Sequence, residues 1–253
     1  MDNIGLQLYS IKESCEHDLL GTLEKVAQMG YTGAQFAGFF NHDAQEVKAK
    51  MDEVGLRTAG AHVQIDALMH NLDETLKYHE AIENDLIIIP ALPKNMRSTA
   101  DDYKQTAKLL DEIGETLHER GFILGYHNHG FEFDVFDGTT GFDILFGQTD
   151  PQHLKMELDG FWATYAGYDP FQIIKKYADR CISLHMKDMR VDKGERISTE
   201  LGTGTLPLAD YIKRGKKVGV KCFVVEQEEF TRDPLDSVAD NAKEMKRLLA
   251  EVD

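Results

Sequence analysis

Cys181-Ile182-Ser183-Leu184-His185-Met186-Lys187-Asp188 alternates apolar and polar side chains along nearly its whole length. In an extended chain successive side chains point to opposite faces. Ile182, Leu184 and Met186 therefore share one face, and Ser183, His185 and Lys187 share the other. The preceding strand-like run repeats the division, with Leu154, Met156 and Leu158 opposed to Lys155, Glu157 and Asp159. An earlier run sets Ala59, Ala61 and Val63 against Thr58, Gly60, His62 and Gln64. In a closed barrel of parallel strands one face of each strand meets a ring of helices. The other fills the interior and carries functional groups at its C-terminal end.

Working outward, eight such runs are expected to be strands: Ile4 to Tyr9, Thr32 to Ala37, Arg57 to Val63, Leu86 to Ala91, Phe122 to His127, Leu154 to Leu158, Cys181 to Met186 and Lys221 to Glu226. Amphipathic stretches lie between them, near Asp18 to Met29, Asp43 to Val54, Asp73 to Asn84, Thr99 to Arg120, Thr140 to Phe146, Pro170 to Tyr177, Pro207 to Val218 and Pro234 to Ala250. Gly30, Gly55, Gly121 and Gly219 each fall just past a helix, where a left-handed residue ends the turn. Asp169-Pro170 and Asp233-Pro234 pair an N-cap with a first-turn proline. Strictly alternating strands and helices predict an α/β protein with a parallel sheet. The absence of a glycine-rich dinucleotide loop after the first strand disfavours an open doubly wound sheet. The expected fold is a single-domain (β/α)8 TIM barrel over residues 1–253, and the length of 253 residues matches the roughly 250 that such a barrel needs.

Composition narrows the function classes. Apolar residues make up 42% and charged residues 28%, as in an ordinary folded protein. A formal charge of −16, from 44 acidic and 28 basic residues, repels phosphodiester backbones and anionic lipid, so neither nucleic acid nor membrane is an expected partner. The stretch Met1 to Ser10 lacks a basic segment followed by an apolar run, and three cysteines without Cys-x-x-Cys pairing suit a reducing compartment. The expected location is cytoplasmic. A homo-oligomer is compatible with these features but nothing in them requires one.

Side chains able to bind a metal collect at the ends of the last four strands. They are Glu132, Asp159, His185 and Glu226. One such residue alone is uninformative, but four at the catalytic end of successive strands point to a shared site. Three carboxylates and one imidazole suit one divalent ion, Mn²⁺ first, with Mg²⁺, Co²⁺ or Zn²⁺ as alternatives. His127 and His129 alternate onto one face with Gly125, toward the mouth, and His62 is similarly placed; all three are candidates for substrate contact or for supporting the metal ligands. Lys187, a charge inside a barrel, needs a partner, either Glu157 or a ligand carboxylate. It is also a candidate for contact with substrate oxygens. Gly202-Thr203-Gly204 reads as a turn, and His17, His42, His70, His79, His118 and His153 are assigned no role.

Six segments in order carry a resemblance: Gly5 to Ser10, Gly125 to Phe133, Glu157 to Trp162, Leu184 to Asp188, Leu201 to Gly204 and Val224 to Gln227. Together they resemble the sugar phosphate isomerase/epimerase branch of the xylose-isomerase-like barrel superfamily, over nearly the whole chain. That superfamily includes ketose epimerases, hydroxypyruvate isomerase, inosose dehydratase and, more distantly, endonuclease IV. The resemblance implies Glu132, Asp159, His185 and Glu226 as metal ligands, with Glu132 and Glu226 doubling as acid/base residues. It also sets Trp162 where ketose epimerases tend to have histidine, so an aromatic face is expected against the substrate. The implied activity is metal-dependent isomerisation or epimerisation of a small sugar through an enediolate. A lyase or dehydratase acting on a keto-sugar, keto-glycoside or cyclitol shares its first step. An endonuclease IV-like nuclease needs more ligands and a basic groove, which the net charge opposes.

Overall fold

The computed structural model describes residues 4–252, so Met1 to Asn3 of the amino-terminal stretch, and Asp253, lie outside it. Eight parallel strands close into a barrel. They are β1 (Ile4–Gln7), β2 (Gly33–Phe36), β3 (Arg57–His62), β4 (Leu86–Ile89), β5 (Ile123–His127), β6 (Lys155–Asp159), β7 (Cys181–Met186) and β8 (Cys222–Val225). Each pairs with its neighbours in sequence, and β8 closes on β1 through Ile4 opposite Phe223 and Leu6 opposite Val225.

The outer layer comprises α1 (Leu19–Met29), α2 (Ala44–Val54), α3 (Leu72–Ala81), α4 (Ala100–Glu119), α5 (Gly141–Gly147), α6 (Pro170–Lys176), α7 (Leu208–Val218) and α8 (Pro234–Val252). Local chemistry sets their ends. Asp43 and Glu46 form a reciprocal capping box on α2, and Asp169 caps α6 beside Pro170. Gly30, Gly55 and Gly219 stop α1, α2 and α7 in the left-handed conformation. No helix among the described residues is long and apolar enough to cross a membrane.

The outward faces of the strands make the main core: Leu6, Phe36, Ala61, Ile87, Tyr126, Leu158, Leu184, Met186, Phe223 and Val225 pack against the helices. Inside the barrel, Ala59, Cys222 and Val224 form a separate small cluster. Gly5 abuts it: a Cβ there would sit 2.8 Å from that of Ala59. Polar side chains fill the interior above. The expected faces of β6 and β7 hold, whereas β3 departs from alternation. Gly60 has φ +100° and the pairing with β2 shifts register there, so Ala59 faces the interior while Ala61 faces the helices. A bulge of this kind re-aims the next side chains along its strand, here that of His62.

His79 on α3 is buried beside Phe39, and burial holds its pKa at about 4, below the usual 6.5. Below about pH 6.5 the unfolded chain binds a proton there that the folded chain refuses until about pH 4. Stability from this group is therefore complete above 6.5 and lost as pH falls to 4, by at most ~3 kcal/mol. His79→Leu is expected to flatten urea-unfolding stability across that window; an unchanged slope would refute the assignment.

Candidate active site

Asp159 ends β6, His185 lies near the end of β7, and Glu226 follows β8, which places all three at the C-terminal mouth. His127 ends β5 beside them. One potential ligand atom from each of His127, Asp159, His185 and Glu226 lies within 4.8 Å of the others, and all four residues are buried. The backbone of Asp159 is clamped by Asn128, whose Oδ1 accepts from Asp159 N at 3.0 Å while Nδ2 donates to Asp159 O at 3.2 Å.

Glu132, which the sequence reading counted among the ligands, lies outside this group. The residue lies in a 3-10 turn, Phe131–Phe133, after β5. Its Oε1 accepts from the Tyr126 hydroxyl at 2.6 Å and Oε2 from the His129 backbone N–H at 2.7 Å. Tyr126 is on the helix-facing side of β5, so the turn directs the carboxylate behind the barrel wall. His127 takes the fourth place in the group. Burial raises the Glu132 carboxyl to about 7, against the opposing effect of those two hydrogen bonds.

Lys187 is fully buried and finds its partners among the carboxylates at the mouth. Its Nζ lies 3.1 Å from Asp159 Oδ2, 2.8 Å from Glu226 Oε2 and 2.7 Å from Glu228 Oε1. Burial opposes the charge, but the three carboxylates outweigh it and hold the ammonium form well above its usual range. The same ammonium lies 5.5 Å from the Trp162 ring and 5.4 Å from Phe161. Burial would raise the Glu226 carboxyl, but Lys187 and His185 together hold it well below the ordinary carboxylate range.

His185 Nδ1 is 2.9 Å from Glu226, and Nε2 is 2.9 Å from both Glu157 and Gln35 Oε1. All three neighbours accept, so without a bound cation both ring nitrogens carry hydrogen; a cation would replace the hydrogen on Nδ1. Burial lowers its pKa, but Glu157 and Glu226 raise it to about 10.

The fit to a cation rests on two observations. The donor set combines two imidazoles and two carboxylates, a suitable composition for a divalent transition ion. One of its buried atoms is also poorly satisfied: Asp159 Oδ2 has only the ionic contact of Lys187.

A cavity of about 340 Å³ opens over the group, lined by Tyr9, His62, His127, His129, Glu226 and Glu228 among others. A second, of about 560 Å³, adjoins it at Tyr9 and Glu228. His62, His127 and His129 thus line the cavity. Trp162 and His129 approach one another at 5.6 Å, and both Trp162 Nε1 and His129 Nδ1 are buried without a hydrogen-bond partner.

Sequence reasoning missed Gln35, Asn128 and Arg97, the last covering the Phe131 ring at 3.6 Å. It also gave Asp188 no task, although its carboxylate accepts from the backbone N–H of Gly202, Gly204 and Leu206 and fixes that loop. A polar residue facing inward on β2 was the available signal for Gln35.

A family model described as xylose isomerase-like TIM barrel matches residues 23–251. The chain belongs to this family. Within the xylose isomerase-like barrels, it is 26% identical over 200 residues to an inosose dehydratase of Geobacillus kaustophilus, covering 70% of this chain and 64% of that protein's own length. A sugar phosphate isomerase/epimerase from Parabacteroides distasonis shares the fold with a TM-score of 0.84 at 23% identity, covering 98% of both chains. The 3-keto-D-glucoside 4-epimerase of E. coli superposes with a TM-score of 0.70 at 14% identity, covering 98% of this chain and 100% of that one.

Proposed function

We propose that this barrel is a divalent-metal-dependent enzyme that moves a proton on carbon next to a carbonyl of a small sugar or sugar derivative. The observation that carries the reading is the buried convergence of His127, Asp159, His185 and Glu226 beneath a cavity of about 340 Å³. That volume lies within the usual range for small-molecule sites, roughly 300 to 1,000 Å³. A bound divalent ion supplies Lewis-acid stabilisation of the negative charge that develops on substrate oxygens. Mn²⁺ remains the first candidate. The second imidazole also favours Co²⁺ and Zn²⁺ over Mg²⁺, which prefers oxygen.

Glu226, which lines the cavity and is held ionised by Lys187 and His185, is the base. The acid/base role expected of Glu132 does not fit this geometry, because its carboxyl is turned behind the barrel wall, where it holds the Tyr126 hydroxyl and the His129 backbone N–H. Trp162 Nε1 and His129 Nδ1 have no hydrogen-bond partner in the protein, and His62, His127 and His129 line the cavity. Isomerisation or epimerisation results if the proton returns to carbon. Elimination results if the enediolate expels a neighbouring group, the outcome that the name of the Geobacillus relative favours.

The test is a screen of keto-sugars, keto-glycosides and inososes in deuterium oxide with Mn²⁺-loaded protein, read by proton NMR and ultraviolet absorbance. Metal-dependent exchange of a hydrogen next to the carbonyl is expected; a new conjugated chromophore assigns elimination, and a recovered epimer assigns epimerisation. Absence of exchange across the panel would sink the proposal. Glu132→Gln, which weakens only the hold on Tyr126 and the His129 backbone, is expected to lower turnover far less than Glu226→Gln, with unchanged metal stoichiometry. Loss of the ion in that variant would restore Glu132 to the ligand set.

A further inference from the structure

Glu157 lies on β6 two residues before Asp159 and is completely buried. Its Oε1 is 2.8 Å from His62 Nε2, 2.9 Å from His185 Nε2 and 3.4 Å from His127 Nδ1. Its Oε2 accepts from Gln35 Nε2 at 2.6 Å. Gln35 is fixed in turn. Its Nε2 also donates to Ala59 O at 3.2 Å, and its Oε1 accepts from Gln7 Nε2 at 2.6 Å. That orientation presents Gln35 Oε1 to His185 Nε2, 2.9 Å away.

Both groups facing His185 Nε2 are thus acceptors, so Nε2 holds a hydrogen and Nδ1 is the nitrogen left to face Glu226 and the ligand group. The three imidazoles also pack on one another. His62 stacks on His185 with centroids 5.7 Å apart and planes 5° apart, and His127 lies 4.4 Å from His185. Three rings from three strands meet over a single carboxylate.

We infer that Glu157, held by Gln35 and Gln7, is a positioning residue. It orients His62, His127 and His185 from below so that His185 Nδ1 and His127 are aimed at one cation above. The inference rests on the metal reading of the site. Outer carboxylates that accept from metal-bound histidines fix ring orientation and tautomer, and their loss lowers metal affinity about 10- to 100-fold.

The test measures Mn²⁺ and Co²⁺ affinity by competition with a chelating indicator, metal stoichiometry, the visible absorption of the Co²⁺ form, and thermal unfolding. Wild type is compared with Glu157→Gln and Gln35→Met. Glu157→Gln is expected to bind one ion about 10- to 100-fold more weakly, with altered Co²⁺ bands reporting a reoriented imidazole. Gln35→Met should shift both readouts in the same direction by less, and it carries the test if Glu157→Gln does not fold.

A purely structural role would lower the unfolding temperature while leaving the folded protein's metal affinity and Co²⁺ bands unchanged, and that result would overturn the inference. A fall in stoichiometry from two ions to one would also overturn it, by making Glu157 a ligand. Wild type that binds neither ion would remove the metal reading itself, an outcome separate from normal metal binding in the variants.

Discussion

Glu226→Gln is expected to abolish proton transfer while leaving a metal site that still fills at higher ion concentration. The amide is isosteric and its oxygen still ligates weakly, and His127, Asp159 and His185 remain. What the amide cannot do is accept a carbon-bound proton near neutral pH and return it. General base catalysis is typically worth about 10² to 10⁴-fold. Loss of the carboxylate charge also leaves Lys187 with two of its three anionic partners and His185 Nδ1 facing a neutral oxygen. Turnover should therefore fall by at least about 1,000-fold. The check is solvent deuterium incorporation by proton NMR at saturating Mn²⁺, with bound metal measured on the same sample. Exchange at the wild-type rate in the loaded variant would show that Glu226 handles no proton.

Lys187→Met is expected to give the largest loss of stability in the metal-free protein and the clearest recovery on adding metal. The ammonium neutralises Asp159, Glu226 and Glu228 at 3.1, 2.8 and 2.7 Å, and the Asp159 and Glu226 side chains are almost entirely removed from water. Removing one member of a buried ionic cluster leaves uncompensated charge, typically a destabilisation of about 3 to 5 kcal/mol. A divalent ion bound to Asp159 and Glu226 supplies the missing positive charge. At 100 times its dissociation constant it returns about 2.7 kcal/mol by mass action alone. Urea unfolding of the variant in EDTA and in Mn²⁺ should thus differ by more than it does for wild type. Equal stability of variant and wild type in EDTA would mean that the cluster does not depend on Lys187.

The barrel was legible because its signal is local. All eight strands fall within two residues of where alternation and turn residues put them at each end, and Cys181–Met186 coincides with the expected run. The inward faces of β6 and β7 could be read from period two. That of β3 could not, because a glycine at φ +100° inserts a bulge that no alternation pattern reveals.

The site was legible to the level of the strand ends, which gave Asp159, His185 and Glu226. Which inward groups meet across a barrel depends on strand stagger, a property of the closed sheet and not of any one strand. Of the two kinds of partner the sequence offered Lys187, Glu157 lies under three histidines, and Lys187 pairs with the ligand carboxylates at the mouth. Glu132 read as a ligand because it comes just after β5, but a short 3-10 turn and the Tyr126 hydroxyl turn its carboxylate away. Side-chain direction in an irregular loop has no periodicity from which to read it.

The most direct measurement is an anomalous difference map from crystals grown in Mn²⁺. One strong peak is expected at the C-terminal mouth, about 2.0 to 2.6 Å from ligand atoms of His127, Asp159, His185 and Glu226, with Lys187 Nζ moved from its place between Asp159 and Glu226. A peak held by other residues, or none at millimolar Mn²⁺ with Lys187 still seated among the carboxylates, would contradict a metal centre built on these four side chains.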